Sequence, residues 1–124
     1  MAGTPSAQKR SIDEPDEVRL PPKGRIEMVS VGDVLFARTT FQPGWKWSES
    51  VKPIAQTDSC QFHHAGYVES GTLHLEMDDG TELDVTAGDI VVIEPGHDAW
   101  VVGDTPCVMY DFGTQDADFA KPSA

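Results

Sequence analysis

The sequence predicts an all-β sandwich or barrel. Short stretches of alternating apolar and polar residues recur from Arg25 to Phe112. Turn signals built from Gly-Asp, Asp-Gly and Pro-Gly pairs part them every ~8–12 residues. No window of about eleven residues keeps the helical period of 3.6. The 124 residues fit one domain, long enough to bury a core without disulfide staples.

Residues 1–22 are rich in Ser, Pro, Asp, Glu, Lys and Arg and offer little to bury, so a flexible N-terminal tail is expected. A single domain is expected over 23–118, with a short C-terminal tail over 119–124. Arg25 to Val31 alternates as a strand, and Gly32-Asp33 turns the chain into a second strand, Val34 to Phe41. Gln42-Pro43-Gly44 breaks it. Tyr67-Val68 and Thr72 to Met77 flank Ser70-Gly71, and Asp79-Gly80 is a hairpin signal leading to Glu82–Val85. Ile90-Val91-Val92-Ile93 is apolar on both faces, which predicts a central strand covered on each side. Pro95-Gly96 ends it. Trp100 to Val102 and Cys107 to Phe112 complete the set around Gly103-Asp104.

Charge is unevenly placed. Residues 1–52 carry eight Lys/Arg against seven acids, whereas residues 53–120 carry fourteen acids and no Lys or Arg. A field of that sign repels phosphate backbones, which excludes nucleic acid as an expected partner. It disfavours strongly anionic ligands and holds histidine charge on to higher pH. It serves solubility, or it docks the basic first part on the acidic second, within a chain or across a dimer. Lys9 and Arg10 have no apolar run behind them, and no apolar run approaches ~20 residues. Neither a secretory signal nor a membrane span is expected, and a cytoplasmic location follows.

Phosphate-binding glycine loops and the G-x-S-x-G elbow are absent. Cys60 and Cys107 read as small buried hydrophobes. Four histidines remain, at 63, 64, 74 and 97. Leu73, Leu75 and Met77 share one strand face, so His74 points the other way, to solvent or an interface. Neighbouring strand residues face oppositely, so His63 and His64 cannot both aim inward without a bulge. Trp45, Trp47 and Trp100 line a ligand mouth or pack in the core. Packing suits Trp100, which must face opposite to Ala99, and Trp47 suits either role.

Tyr67-Val68-Glu69-Ser70-Gly71, followed by Gly88-Asp89-Ile90-Val91-Val92-Ile93-Glu94-Pro95-Gly96-His97, resembles the two conserved blocks of the cupin family. Trp45-Lys46-Trp47-Ser48-Glu49-Ser50-Val51-Lys52-Pro53 is similar to a motif of small single-domain, RmlC-like cupins of actinobacteria. The resemblance covers roughly residues 40–112. It implies a double-stranded β-helix, or jelly-roll barrel, and a homodimer. It also implies one divalent metal (Zn, Fe, Mn or Ni) held by three His and one Glu, or no cofactor where that set is lost.

Carried over residue by residue, the family's ligand positions fall on Thr57, Ser59, His64 and Ala99. Only His64 is a metal-ligand type. His97 shares the parity of Ala99, so His64 and His97, with His63 in another register, are the candidate metal ligands. Glu94, Asp98 or Gln61 would complete that set if the backbone departs from the family path. The candidate ligand-binding residues are Thr57, Ser59, Gln61, His64, Ala99 and Trp47, with His64 the candidate general base. Three functions are therefore expected in competition. One is a small-molecule-binding cupin with an atypical or absent metal site. Another is a divalent-metal-dependent oxygenase, isomerase or lyase. The last is a non-catalytic dimeric interaction module.

Overall fold

The computed structural model describes residues 6–57, 59 and 64–112. Alternation of apolar and polar residues sets its main strands: β1 (Glu17–Arg19), β2 (Gly24–Val31), β3 (Val34–Phe41), β4 (His64–Ser70), β5 (Thr72–Met77), β6 (Glu82–Thr86), β7 (Ile90–Ile93), β8 (His97–Val101) and β9 (Cys107–Phe112). Two single-turn helices, α1 (Trp47–Ser50) and α2 (Lys52–Ala55), lie between β3 and β4. One sheet has six strands in the order β1-β2-β3-β9-β4-β7, and the other has three in the order β6-β5-β8. All pairings are antiparallel.

Chain chemistry fixes the registers. Val31 pairs with Val34 across Gly32-Asp33, where Gly32 supplies the positive φ that a two-residue hairpin loop needs. At Asp79-Gly80 the Asp79 carboxylate accepts from Thr81 N–H, and Gly80 takes φ 92°. Both sheets turn one face inward. Ile26, Met28, Phe41, Val68 and Met109 from the large sheet meet Leu73, Leu75, Val85, Ala99 and Val101 from the small one in a single core. Cys107 is fully enclosed in that core. The two-residue period places His74 on the outer face of β5, opposite Leu73 and Leu75.

Two features differ from the simplest sequence expectation. β1 pairs with β2 inside the stretch whose composition suggests a tail: Val18 sits opposite Glu27, and the Asp16 carboxylate accepts from Ser30 N–H at 2.9 Å. Among the described residues β7 is an edge strand, paired with β4 alone, and not a central one. Its inward Val91 and Ile93 are buried, but Ile90 is 85% exposed and Val92 64% exposed. An unbroken apolar run records that both faces favour cover, not that a neighbouring strand supplies it.

Arg10, Arg25 and Arg38 pair with Asp16, Glu27 and Asp13, all from the first part of the chain. Among the described residues no helix is long and apolar enough to cross a membrane.

Candidate functional site

The inward row of β4 begins with His64, that of β8 with His97, and that of β9 ends at Asp111. These three polar side chains border a cavity of about 30 Å³ between the sheets. Phe41, Leu73, Leu75, Ile93, Ala99 and Met109 supply apolar walls, and Trp45 and Trp47 close one side. A volume of that size accommodates a water or one small polar group, against the ~300 Å³ or more of a pocket for a drug-sized ligand.

His97 is buried at the start of β8, and its Nδ1–H donates to the Glu94 carbonyl at 2.7 Å. That bond places the proton on Nδ1 and leaves the Nε2 lone pair for another partner. Burial pushes the His97 pKa below its ordinary value, against the opposing pull of the Glu94 carbonyl and the Asp78 and Asp98 carboxylates. The neutral imidazole is therefore the resting form. His64 Nδ1 lies 3.9 Å from Asp111 Oδ2, an ion-pair distance rather than a hydrogen bond. The His64 and His97 rings meet edge-on, 5.3 Å between centroids.

Backbone contacts position the aromatic wall. Lys46 bridges to Trp100, and Val101 N–H donates to the Trp45 carbonyl. The Asp98 carboxylate accepts from Ser48 N–H at 3.1 Å and from Ala99 N–H at 2.9 Å. Asp98 thus holds the start of α1, and with it Trp47, on β8 beside His97. Both Trp45 Nε1 and Trp47 Nε1 are buried with no acceptor among the described residues. Trp45 Nε1 faces Gly24, whose Cβ, if present, would sit 3.5 Å away.

The structure gathers His64, His97, Ala99 and Trp47 around one cavity. It places Thr57 and Ser59 elsewhere. Thr57 Oγ1 donates to the Ser59 carbonyl, and Ser59 Oγ donates to Asp78, lining an acidic groove with Glu76, Glu82 and Asp98. The family alignment puts these two beside His64, but their short hydroxyls are held by local partners. Gln61 and His63 lie outside the described residues. Glu94 contributes its carbonyl to His97, and the Asp98 carboxylate is engaged with backbone. Trp100 faces outward between the His74 ring, 4.6 Å away, and the Lys46 ammonium. His74 bonds to Asp84 at 2.6 Å and Glu82 at 2.9 Å, and those carboxylates raise its pKa.

Asp111 is the site residue that the sequence reading missed. The signal was parity: Cys107, Met109 and Asp111 share the inward face of β9, so the strand's inward row ends on a carboxylate.

Residues 37–113, more than half of the chain, match the family model described as the cupin domain, and the chain belongs to that family. Comparison with curated proteins gives no match. Among solved structures the chain is similar to a protein of unknown function from Rhizobium leguminosarum, with 16% identity, TM-score 0.62, and coverage of 86% of this chain and 95% of that one. It is also similar to a protein of unknown function from Acidithiobacillus ferrooxidans, with 17% identity, TM-score 0.57, and coverage of 81% and 88%. An RmlC-like cupin from Shewanella frigidimarina matches at 19% identity and TM-score 0.55, covering 77% and 80%. These likenesses identify the small single-domain, RmlC-like cupin fold.

Cupins often hold a metal in this barrel. The residues described here do not make a complete ligand set for one. Ala99 offers no donor where the family places a histidine, and no three His, Cys, Asp or Glu side chains among the described residues converge on a common point.

Proposed function

We propose that this cupin binds a small, largely uncharged molecule in its barrel, with His64, His97 and Asp111 as the polar contacts. The observation that carries the reading is two buried imidazoles and a carboxylate at the end of an otherwise apolar cavity. The apolar walls suit the body of a ligand of few atoms, for which the side chains around the cavity of about 30 Å³ must move apart.

A fragment screen by thermal shift tests the reading. A ligand at a hundred times its Kd stabilises the native state by ~2.7 kcal/mol. Hits are expected to raise Tm in the native protein and to lose that shift in His97→Gln and His64→Gln. A screen in which no fragment raises Tm, or in which both variants respond like the native chain, overturns it.

A second reading is a divalent-metal-dependent enzyme, favoured by the spacing of the two rings. Metal–nitrogen bonds of ~2.1 Å at a near-tetrahedral angle set two imidazole centroids roughly 5 Å apart, and here they lie 5.3 Å apart. Elemental analysis of untagged protein separates the readings: a stoichiometric ion selects the second, and less than about a tenth of an equivalent after supplementation removes it.

A further inference from the structure

We propose that β7 is a docking edge for a second copy of this chain, joined antiparallel about a two-fold axis at Val91 so that the two large sheets run on as one. The surface lies on the rim of the sheet and is independent of what the cavity binds.

Backbone and side chains of β7 both lack cover. Among the described residues the strand pairs with β4 alone. Val68 N–H donates to the Asp89 carbonyl, so alternation turns the N–H and C=O of Ile90 and Val92 away from β4. Native edges are blunted by lysine, proline, charge or a bulge. Ile90–Ile93 has no lysine, proline or charge, and its register with β4 is unbroken. Outward Ile90 is 85% exposed and Val92 64%, and Tyr67, opposite Ile90 on β4, is 42% exposed.

Charge selects β7 over the other edges and selects its occupant. β1 presents Glu17 and Arg19, and β6 presents Glu82 and Asp84. The Lys46 bridge to Trp100 lies along β8. Two chains of net charge −12 repel each other least where the meeting residues carry none. With Val91 opposite Val91 of the second copy, Ile90 lies beside Val92 of that copy on the outward face, and each such pair exchanges both N–H···O bonds. Asp89 then falls opposite Ile93, and Glu94 opposite Gly88, so no acid meets an acid. The Asp89 carboxylate is turned back onto Thr86 N–H at 2.8 Å. A slip of one residue sets Asp89 against Glu94 and outward side chains beside inward ones. An unrelated extended segment needs the same apolar alternation, and β7 already supplies it. The contact is self-complementary and closes at two copies. Strands this short bury less than the ~800 Å² per partner of a standard interface, so the dimer is reversible.

Sedimentation equilibrium of the full chain from about 5 to 500 µM reads the association, and hydrogen exchange followed by NMR reads the edge amides. A dimer is expected to form on concentration and to strengthen with salt, which screens the repulsion between acidic copies. Ile90→Lys and Val92→Lys are each expected to weaken it roughly tenfold or more. Val34→Lys, at another exposed apolar position of the same sheet, leaves it unchanged. Exchange at the Ile90 and Val92 amides slows as the dimer fills. Should one lysine variant fail to fold, the other variant and the amides still decide. A chain that stays monomeric throughout overturns the inference. So does a dimer indifferent to both lysine variants, whose copies meet elsewhere. A dimer that salt weakens has its basic first part docked on the acidic second, and that also overturns it. Edge amides protected equally at every concentration mean that the chain covers β7 itself, and they overturn it too.

Discussion

Two histidines of one chain respond to their surroundings in opposite directions. Burial lowers the His97 pKa and so favours its neutral form, and Glu82 and Asp84 raise that of His74 and so favour its charged form. The acidic composition anticipates the second and not the first, because composition carries the sum of the charges and not the depth of any group. The signs follow from linkage. The His97 contribution is fully present above the unfolded pKa of ~6.5 and is lost as pH falls from there toward the lower folded value. The His74 contribution is fully present below ~6.5 and is lost as pH rises through its higher folded value. His74→Gln is therefore expected to flatten the alkaline fall of Tm and to leave the acid fall alone, read from thermal unfolding across pH 5–9. Its two carboxylate partners are more than half exposed, so the effect stays below about 1 kcal/mol after screening. The parity that turns His74 outward was legible in Leu73-His74-Leu75. Asp111 was not singled out, since the same two-residue rule had to be applied to one of fourteen acids in a segment with no Lys or Arg.

At the scale of elements, the site depends on how closely β4 and β9 approach. Gly66 pairs with Asp111, and a Cβ on Gly66 would lie 2.2 Å from the Tyr110 carbonyl oxygen and 2.7 Å from Asp111 Oδ1. The first contact is with backbone, which cannot swing aside as a flexible side chain can. Gly66→Ala is expected to cost about 2–3 kcal/mol through overpacking and to displace the Asp111 carboxylate. Urea unfolding reads the loss of stability, and the loss of any ligand-induced Tm shift reads the displacement. Most strands and hairpins were visible in the sequence because alternation and turn chemistry are local. Strand order was not: β7 sits at the edge and β9 in the middle, and hydropathy does not say which strand pairs with which. The local partners of Thr57 and Ser59 were not legible for a related reason. Spacing carried over from a family assumes a backbone path, and here the two hydroxyls bond locally, to the Ser59 carbonyl and Asp78, with Ser59 lining the acidic groove.

Over the whole molecule, ion pairing ties the segment before β1 to the large sheet. Arg38 on β3 grips the buried Glu27 of β2 through two bonds, 3.0 and 3.1 Å, and reaches Asp13 at 3.2 Å. The guanidinium holds the Glu27 carboxyl below its ordinary pKa. Its contribution is thus present above about 4.5 and fades as pH falls through the lower folded value. Arg38→Ala leaves Glu27 buried without its main partner. It is expected to lower stability by ~1–3 kcal/mol, with Arg38→Ala combined with Glu27→Gln recovering part of the loss, measured as Tm in a double-mutant cycle. The central position of β9 has a chemical corollary. Cys107 lies on this strand between β3 and β4, and burial pushes its thiol up to about 11. Alkylating reagents attack the thiolate, which is scarce at neutral pH and sealed from them in the native state. Modification of Cys107 therefore requires β9 to part from its neighbours, and its rate of mass gain is a built-in clock for the opening of the barrel.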